Sequence, residues 1–174
     1  MNEFNYVDSN LLVLSKKTKH KNVFSLSIFH KIIARLNRKF DSFINLFTNT
    51  WIPYSFGLFN NSIASHPLVI ESNVIYIHWV NSGMLTINGI NEIIRLNKPT
   101  ILFTHDMWHF SAGCHQSYGG IDLKIGKEFF HIFGIENTNK IIFNIGLKSF
   151  LKKNHIYKKN ENVHLVAPSV NFYN

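Results

Sequence analysis

Acidic side chains are scarce in this sequence: 10 Asp and Glu stand against 18 Lys and Arg, for a formal net charge of +8. Cysteine is nearly absent. With Cys114 alone, no disulfide can form within the chain, and nothing points to an oxidising compartment. No glycine precedes Gly57, which excludes an early glycine-rich phosphate loop. No uninterrupted apolar run approaches membrane-spanning length, and Met1 to Ser15 lacks the basic head and apolar core of a signal peptide. The expected location is therefore cytoplasmic, with at most a peripheral place at the inner face of the membrane. A length of 174 residues, 45% hydrophobic and 16% charged, suffices for one α/β core, so a single domain over 1–174 is expected.

Aromatic residues are plentiful, with 16 Phe, 6 Tyr and 3 Trp, enough apolar surface to offset the entropy of ordering the chain. The basic balance would suit nucleic acid, an anionic bilayer surface or phosphate-bearing substrates. No zinc-finger spacing, Arg-rich tail or RNA-binding aromatic motif accompanies it, so no specific nucleic-acid partner is expected. Asn10 to Leu14 reads as a short strand. Phe29, Ile32, Ile33, Leu36, Phe40, Phe43, Ile44 and Phe47 recur at spacings of three and four, which predicts a helix over 27–48 with Lys31, Arg35, Arg38 and Lys39 on its other face. Ser25 or Ser27 would cap its start. Such a helix either buries its Phe/Ile stripe in the protein, the commoner use, or lays it into an anionic membrane surface.

Val74-Ile75-Tyr76-Ile77 is short and β-branched, as a buried parallel strand is, and His78-Trp79-Val80-Asn81 follows it. Leu85, Ile90, Ile93, Ile94 and Leu96 mark a helix that stops before Lys98-Pro99. Thr100 to Thr104 is the next strand, followed by His105-Asp106-Met107-Trp108. This is a βαβ unit, so both post-strand motifs should emerge at the carboxyl edge of a parallel sheet, where ligands of open α/β sheets bind. If the strands are neighbours, about 5 Å apart, the two motifs form one site. Neither strand is followed by spaced glycines, which disfavours a nicotinamide or flavin cofactor. Ile141, Ile142, Ile145 and Leu147 suggest a further helix leading to the strand His164-Leu165-Val166.

The blocks His78-Trp79-Val80-Asn81-Ser82-Gly83, Lys98-Pro99, Thr104-His105-Asp106-Met107-Trp108 and Gly113-Cys114-His115, in this order and spacing, resemble bacterial family-4-like glycosyltransferases. The likeness extends more faintly to Phe56-Gly57-Leu58-Phe59, Ser65-His66-Pro67 and Val166-Ala167-Pro168-Ser169. The resemblance implies a GT-B enzyme of polysaccharide biosynthesis, in which two Rossmann-like domains face each other. This chain would be the acceptor-side domain, a Rossmann-like parallel sheet with flanking helices. His105 matches the family's histidine at the cleft mouth and is the implied catalytic residue. His78, Trp79, Asn81, Asp106, Trp108, Gly113 and His115 are the implied substrate-binding set. Asp106 would orient the His105 ring or accept from a sugar hydroxyl, and Trp79 and Trp108 would either offer stacking faces or plug the end of the core, as His78 would be either a ligand or a satisfied buried histidine. A sugar acceptor is the implied partner and a nucleotide sugar the implied donor, with no cofactor held by this chain. The family's opening glycine-rich unit and its donor domain have no counterpart here, so a fragment inactive alone is expected.

Other chemistry is weaker. His105, His109, Cys114 and His115 are zinc-type ligands close in sequence, but their spacing fits no common zinc pattern, and no metal is expected. Cys114 and His115 are adjacent on an extended segment and point apart, which disfavours a thiol nucleophile. Glu128 and Glu136 match a paired-glutamate spacing of the family's donor domain in the wrong context. The alternatives to a transferase are a stand-alone sugar- or partner-binding module and a basic membrane-surface protein working through the helix 27–48.

Overall fold

The computed structural model describes residues 7–47, 54–80, 83–116, 121–125, 128–132 and 140–167. Asn81, Ser82, Pro168, Ser169 and Glu136 lie outside them. Strands β1 (Leu11–Val13) and β2 (Val23–Ser25) pair in parallel and lead into helix α1 (Ile28–Asn45). After an extended segment come the short helix α2 (Pro67–Glu71), strand β3 (Ile75–Ile77), helix α3 (Ile87–Ile94) and strand β4 (Thr100–Phe103). A 3-10 turn at Met107–His109 precedes an antiparallel hairpin of β5 (Ile121–Ile125) and β6 (Glu128–Ile132). Helix α4 (Lys140–Lys159) and strand β7 (Val163–Val166) follow. The fold is mixed α/β, its main sheet running β3-β4-β7 with every pairing parallel, as in part of a Rossmann-like domain.

The predicted βαβ unit is β3-α3-β4, with Ile77 opposite Leu102. Thr86 caps α3 by accepting the Gly89 N–H, and Ile87, Ile90, Ile93 and Ile94 are buried on it. They pack with Ile77, Val80, Leu102, Trp108 and Ile156 of α4 in the main core. Gly89 is required because a Cβ there would come within 2.3 Å of the Asn61 carbonyl oxygen. Lys98 closes α2 by donating its ammonium to the carbonyls of Val69, Ile70 and Ser72, which explains the Lys98-Pro99 block structurally.

Helix α1 differs from the commoner expectation. Its buried residues are Ala34, Asn37, Asp41 and Ile44, so of the Phe/Ile stripe only Ile44 is fully buried, Ile33 and Phe40 are half-buried, and Phe29, Ile32, Leu36, Phe43 and Phe47 are exposed. Asn37 Oδ1 accepts the Phe59 N–H at 2.7 Å while its Nδ2 donates to the Phe59 carbonyl at 2.8 Å. Asp41 Oδ1 accepts the N–H groups of Phe56 at 2.9 Å and Gly57 at 3.3 Å. Asn45 Oδ1 accepts the Tyr54 N–H at 2.8 Å, and its Nδ2 donates back to the Tyr54 carbonyl at 3.2 Å. Residues four apart share a helix face, so 37, 41 and 45 form a polar ladder that acts as a strand partner for Tyr54 to Phe59. Close approach on the same side is kept by Gly83, where a Cβ would meet the Ala34 carbonyl oxygen at 2.5 Å. Ser27 occupies the cap position, but its hydroxyl bonds His30 Nδ1 at 2.8 Å instead of the helix N–H groups.

Asn37→Ala would remove both of its hydrogen bonds to the Phe59 backbone, each contributing about 0.5–1.5 kcal/mol. A loss of about 1–3 kcal/mol in urea unfolding is expected. Leu36→Gln, one position away but exposed, should change stability by less than about 0.5 kcal/mol. Equal effects of the two substitutions would show that the ladder does not hold α1.

Candidate functional site

The pairing of β3 with β4 brings the two post-strand motifs together at one sheet edge. His78 Nδ1 lies 3.1 Å from His105 Nε2, so one ring donates to the other. Both rings stack beside Phe103, at centroid distances of 5.2 Å each. No other hydrogen-bond partner among the described residues takes His78 Nε2 or His105 Nδ1, and both side chains are exposed. Trp79 is 57% exposed, with its indole N–H donating to Asp106 Oδ2 at 2.9 Å.

Asp106 collects donors. Its Oδ2 also lies 2.7 Å from His115 Nδ1, and its Oδ1 accepts the Trp108 N–H at 2.9 Å, capping the 3-10 turn. Burial raises the Asp106 carboxyl, but the hydrogen bonds from His115, the Trp108 N–H and Trp79 outweigh it and hold the group below its ordinary value. The carboxylate is therefore ionised at neutral pH and can only accept, so His115 carries its proton on Nδ1. The other ring nitrogen of His115, Nε2, faces the Ser55 hydroxyl, 2.9 Å away. The expectation that Asp106 orients His105 is corrected: it orients His115 and Trp79, because these rings lie on its side of the edge, and His105 is held by His78.

Carboxylate, imidazole and serine hydroxyl in series would suit a nucleophilic serine, yet the donors that such a nucleophile needs are committed elsewhere. The Ser55 N–H donates to the Gly113 carbonyl at 2.9 Å, and the N–H groups of Phe56 and Gly57 go to Asp41. The series thus ties the Tyr54–Phe59 segment to the site and fixes His115. Ser55 was not among the sequence candidates; it carries no periodic or motif signal, and only its neighbours Phe56-Gly57 do.

For Trp108 the core-plug alternative holds, not the stacking face. It is 2% exposed, its indole N–H donates to the Ser55 carbonyl at 2.7 Å, and it offers no face to a ligand. Gly113 is buried at φ +129, where a Cβ would strike Phe56, so it serves the chain path next to the Tyr54–Cys114 bridge. Cys114 is buried and its thiol faces the Gln116 carbonyl, while His115 turns the other way. His109 bonds the Tyr157 hydroxyl at 2.9 Å. Among the described residues no three His, Cys, Asp or Glu side chains group as metal ligands. Asn81 lies outside the described residues, as does Glu136 of the Glu128–Glu136 pair. An open groove of about 600 Å³ between α3 and α4, with Asn88, Arg95, Lys152 and His155 among its walls, contains none of the candidate residues.

Beneath the site lies a buried cation. Lys153, 1% exposed, donates to the Trp108 carbonyl and lies 4.3 Å from the centre of the Trp108 ring. Its place between Phe150 and Ile156 on α4 is a core position by helical spacing, which was the available signal. Burial pushes its ammonium down from 10.5 to about 7, against the opposing pull of Cys114 and Asp106. Burial, then the Lys153 charge, lowers His109 from 6.5 to about 4.

No family model, curated protein or solved structure matches the chain.

Because the folded pKa of Lys153 is depressed, the unfolded chain binds a proton between about pH 7 and 10.5 that the folded chain does not. Stability should therefore rise with pH across that window, by up to about 1.4 kcal/mol per pH unit. Lys153→Met should flatten the rise in urea unfolding measured from about pH 7.5 to 9.5. An unchanged slope in the variant would show that Lys153 is not its source.

Proposed function

We propose that the edge formed by β3 and β4 is the acceptor side of a sugar-transfer site in a protein of the GT-B, bacterial family-4-like kind. The supporting observation is one juxtaposition: the exposed Trp79 indole, fixed by Asp106, stands beside the exposed His78–His105 pair at adjacent strand ends. A fixed, flat indole face suits the C–H face of a sugar ring. Histidine nitrogens with no partner among the described residues suit its hydroxyls. In transfer, the acceptor hydroxyl oxygen would form a bond to the anomeric carbon as the bond to the nucleoside diphosphate breaks, and the hydroxyl proton would pass to His105 Nδ1. His105 is the group to hold that hydroxyl, through Nδ1, with His78 fixing its ring. Asp106 and His115 are positioning residues, and Trp108 supports them from below. The acceptor would be a polysaccharide precursor or a lipid-linked glycan, and the donor a nucleotide sugar.

Saturation-transfer NMR with a panel of bacterial oligosaccharides should show contact with the chain in the absence of nucleotide sugar. Trp79→Ala should weaken binding at least tenfold, the scale of about 1.4 kcal/mol lost with one stacking face. His105→Ala should leave the fold and its melting temperature unchanged while removing any transfer seen on adding nucleotide sugars. Binding with no transfer from any nucleotide sugar would favour the stand-alone sugar-binding module. No oligosaccharide contact at millimolar concentration would remove both.

A further inference from the structure

Helix α1 presents an apolar stripe to water. Phe29, Ile32, Leu36 and Phe43 are 65%, 49%, 45% and 56% exposed. Their spacings of three, four and seven put them on one helix face, opposite the ladder of Asn37 and Asp41. Ile28 and Phe47, also exposed, extend the stripe at both ends. The charge beside it has one sign. Lys31, Arg35 and Arg38 follow one flank between the stripe and the inward face, and Lys39 lies at the stripe's edge. The helix's single carboxylate, Asp41, is buried against Phe56 and Gly57.

A second copy of the chain is a poor cover for this surface, since a two-fold contact would bring the same cationic flanks towards each other. An anionic bilayer meets both features at once: apolar side chains enter the boundary of the acyl chains while lysine and arginine stay among anionic headgroups. The helix is about 27 Å long at 1.5 Å per residue and would lie in the plane of the interface. No described helix is long and apolar enough to cross the membrane.

We propose that α1 docks the protein on an anionic phospholipid surface, through the stripe Phe29–Ile32–Leu36–Phe43 and the cations Lys31, Arg35, Arg38 and Lys39. The surface stands apart from the β3–β4 edge, and the proposal does not rest on sugar transfer.

Co-sedimentation of the full chain with phosphatidylcholine vesicles, with and without phosphatidylglycerol, tests this, with a sample lacking vesicles as control. The chain should pellet with the anionic vesicles and stay in solution with the neutral vesicles and in the control. The triple variant Ile32→Gln, Leu36→Gln, Phe43→Gln should lose at least tenfold in partitioning while staying folded with a cooperative melt, because all three residues are about half exposed and outside the buried core. Changing Lys31, Arg35 and Arg38 to Gln should cost at least tenfold at low salt and abolish the salt dependence. The proposal is overturned if the chain stays in solution with anionic vesicles, or if the triple Gln variant binds them as well as the parent. It is equally overturned if the parent is a dimer that the triple variant converts to monomer without any vesicle binding.

Discussion

The ladder of Asn37, Asp41 and Asn45 decides how this chain is arranged. A helix normally buries its most apolar face, and each large side chain moved from water to a core is worth about 1.5–3 kcal/mol. Here the inward face of α1 is chosen by hydrogen bonding. Beyond the Tyr54–Cys114 bridge and the Ser55 N–H bond to Gly113, several backbone groups of the segment from Tyr54 to Phe59 take their partners on α1, each bond contributing about 0.5–1.5 kcal/mol. Three short polar side chains spaced by four residues satisfy these groups in register. One consequence is that Phe29, Ile32, Leu36 and Phe43, on the opposite face, are left exposed.

The same ladder reaches the candidate site. By holding Tyr54 to Gly57 it places Ser55, whose carbonyl receives the Trp108 indole and whose hydroxyl meets His115. His115 in turn leans on Asp106, and Asp106 holds Trp79. Burial raises the Asp41 carboxyl above its ordinary value, although the N–H groups of Phe56 and Gly57 and the neighbouring His115 pull the other way. Its Oδ2 has no hydrogen-bond partner among the described residues. The segment that Asp41 fixes through these donors carries the rest of the series.

Local pattern made much of this legible. The strands at Ile75–Ile77, Thr100–Phe103 and Val163–Val166 and the helix Ile87–Ile94 follow from β-branched runs, an apolar period near 3.6 and the stop at Lys98-Pro99. The meeting of His78 and Trp79 with His105 and Asp106 follows from parallel neighbours in one βαβ unit. The inward face of α1 was not legible, because periodicity reports that a stripe exists and is silent on what faces it. The correct sign was present at Asn37, Asp41 and Asn45, a second stripe at spacing four that is polar. Partner choice inside the site was hidden too: adjacency on the chain suggested Asp106 for His105, whereas the turn at Met107–His109 carries the carboxylate towards His115. Residue type left Trp108 open between a ligand face and a plug of the core, and the underlying Lys153 and the Ser55 carbonyl decide for the plug.

Two surfaces of different chemistry thus depend on one helix. Were α1 to rotate so that Phe29, Ile32, Leu36 and Phe43 faced inward, Ala34 and Asn37 would leave the Gly83 backbone, and the close approach that excludes a Cβ there would be replaced by bulky side chains. The Tyr54–Phe59 segment would lose its partners in the same step, and with them the anchor for His115 and Trp79. The outward stripe is therefore not a packing fault that a small adjustment could relieve. It is the geometric complement of the polar face that builds the site, and an exposed apolar strip kept at that cost is better explained by something outside the chain than by the chain itself.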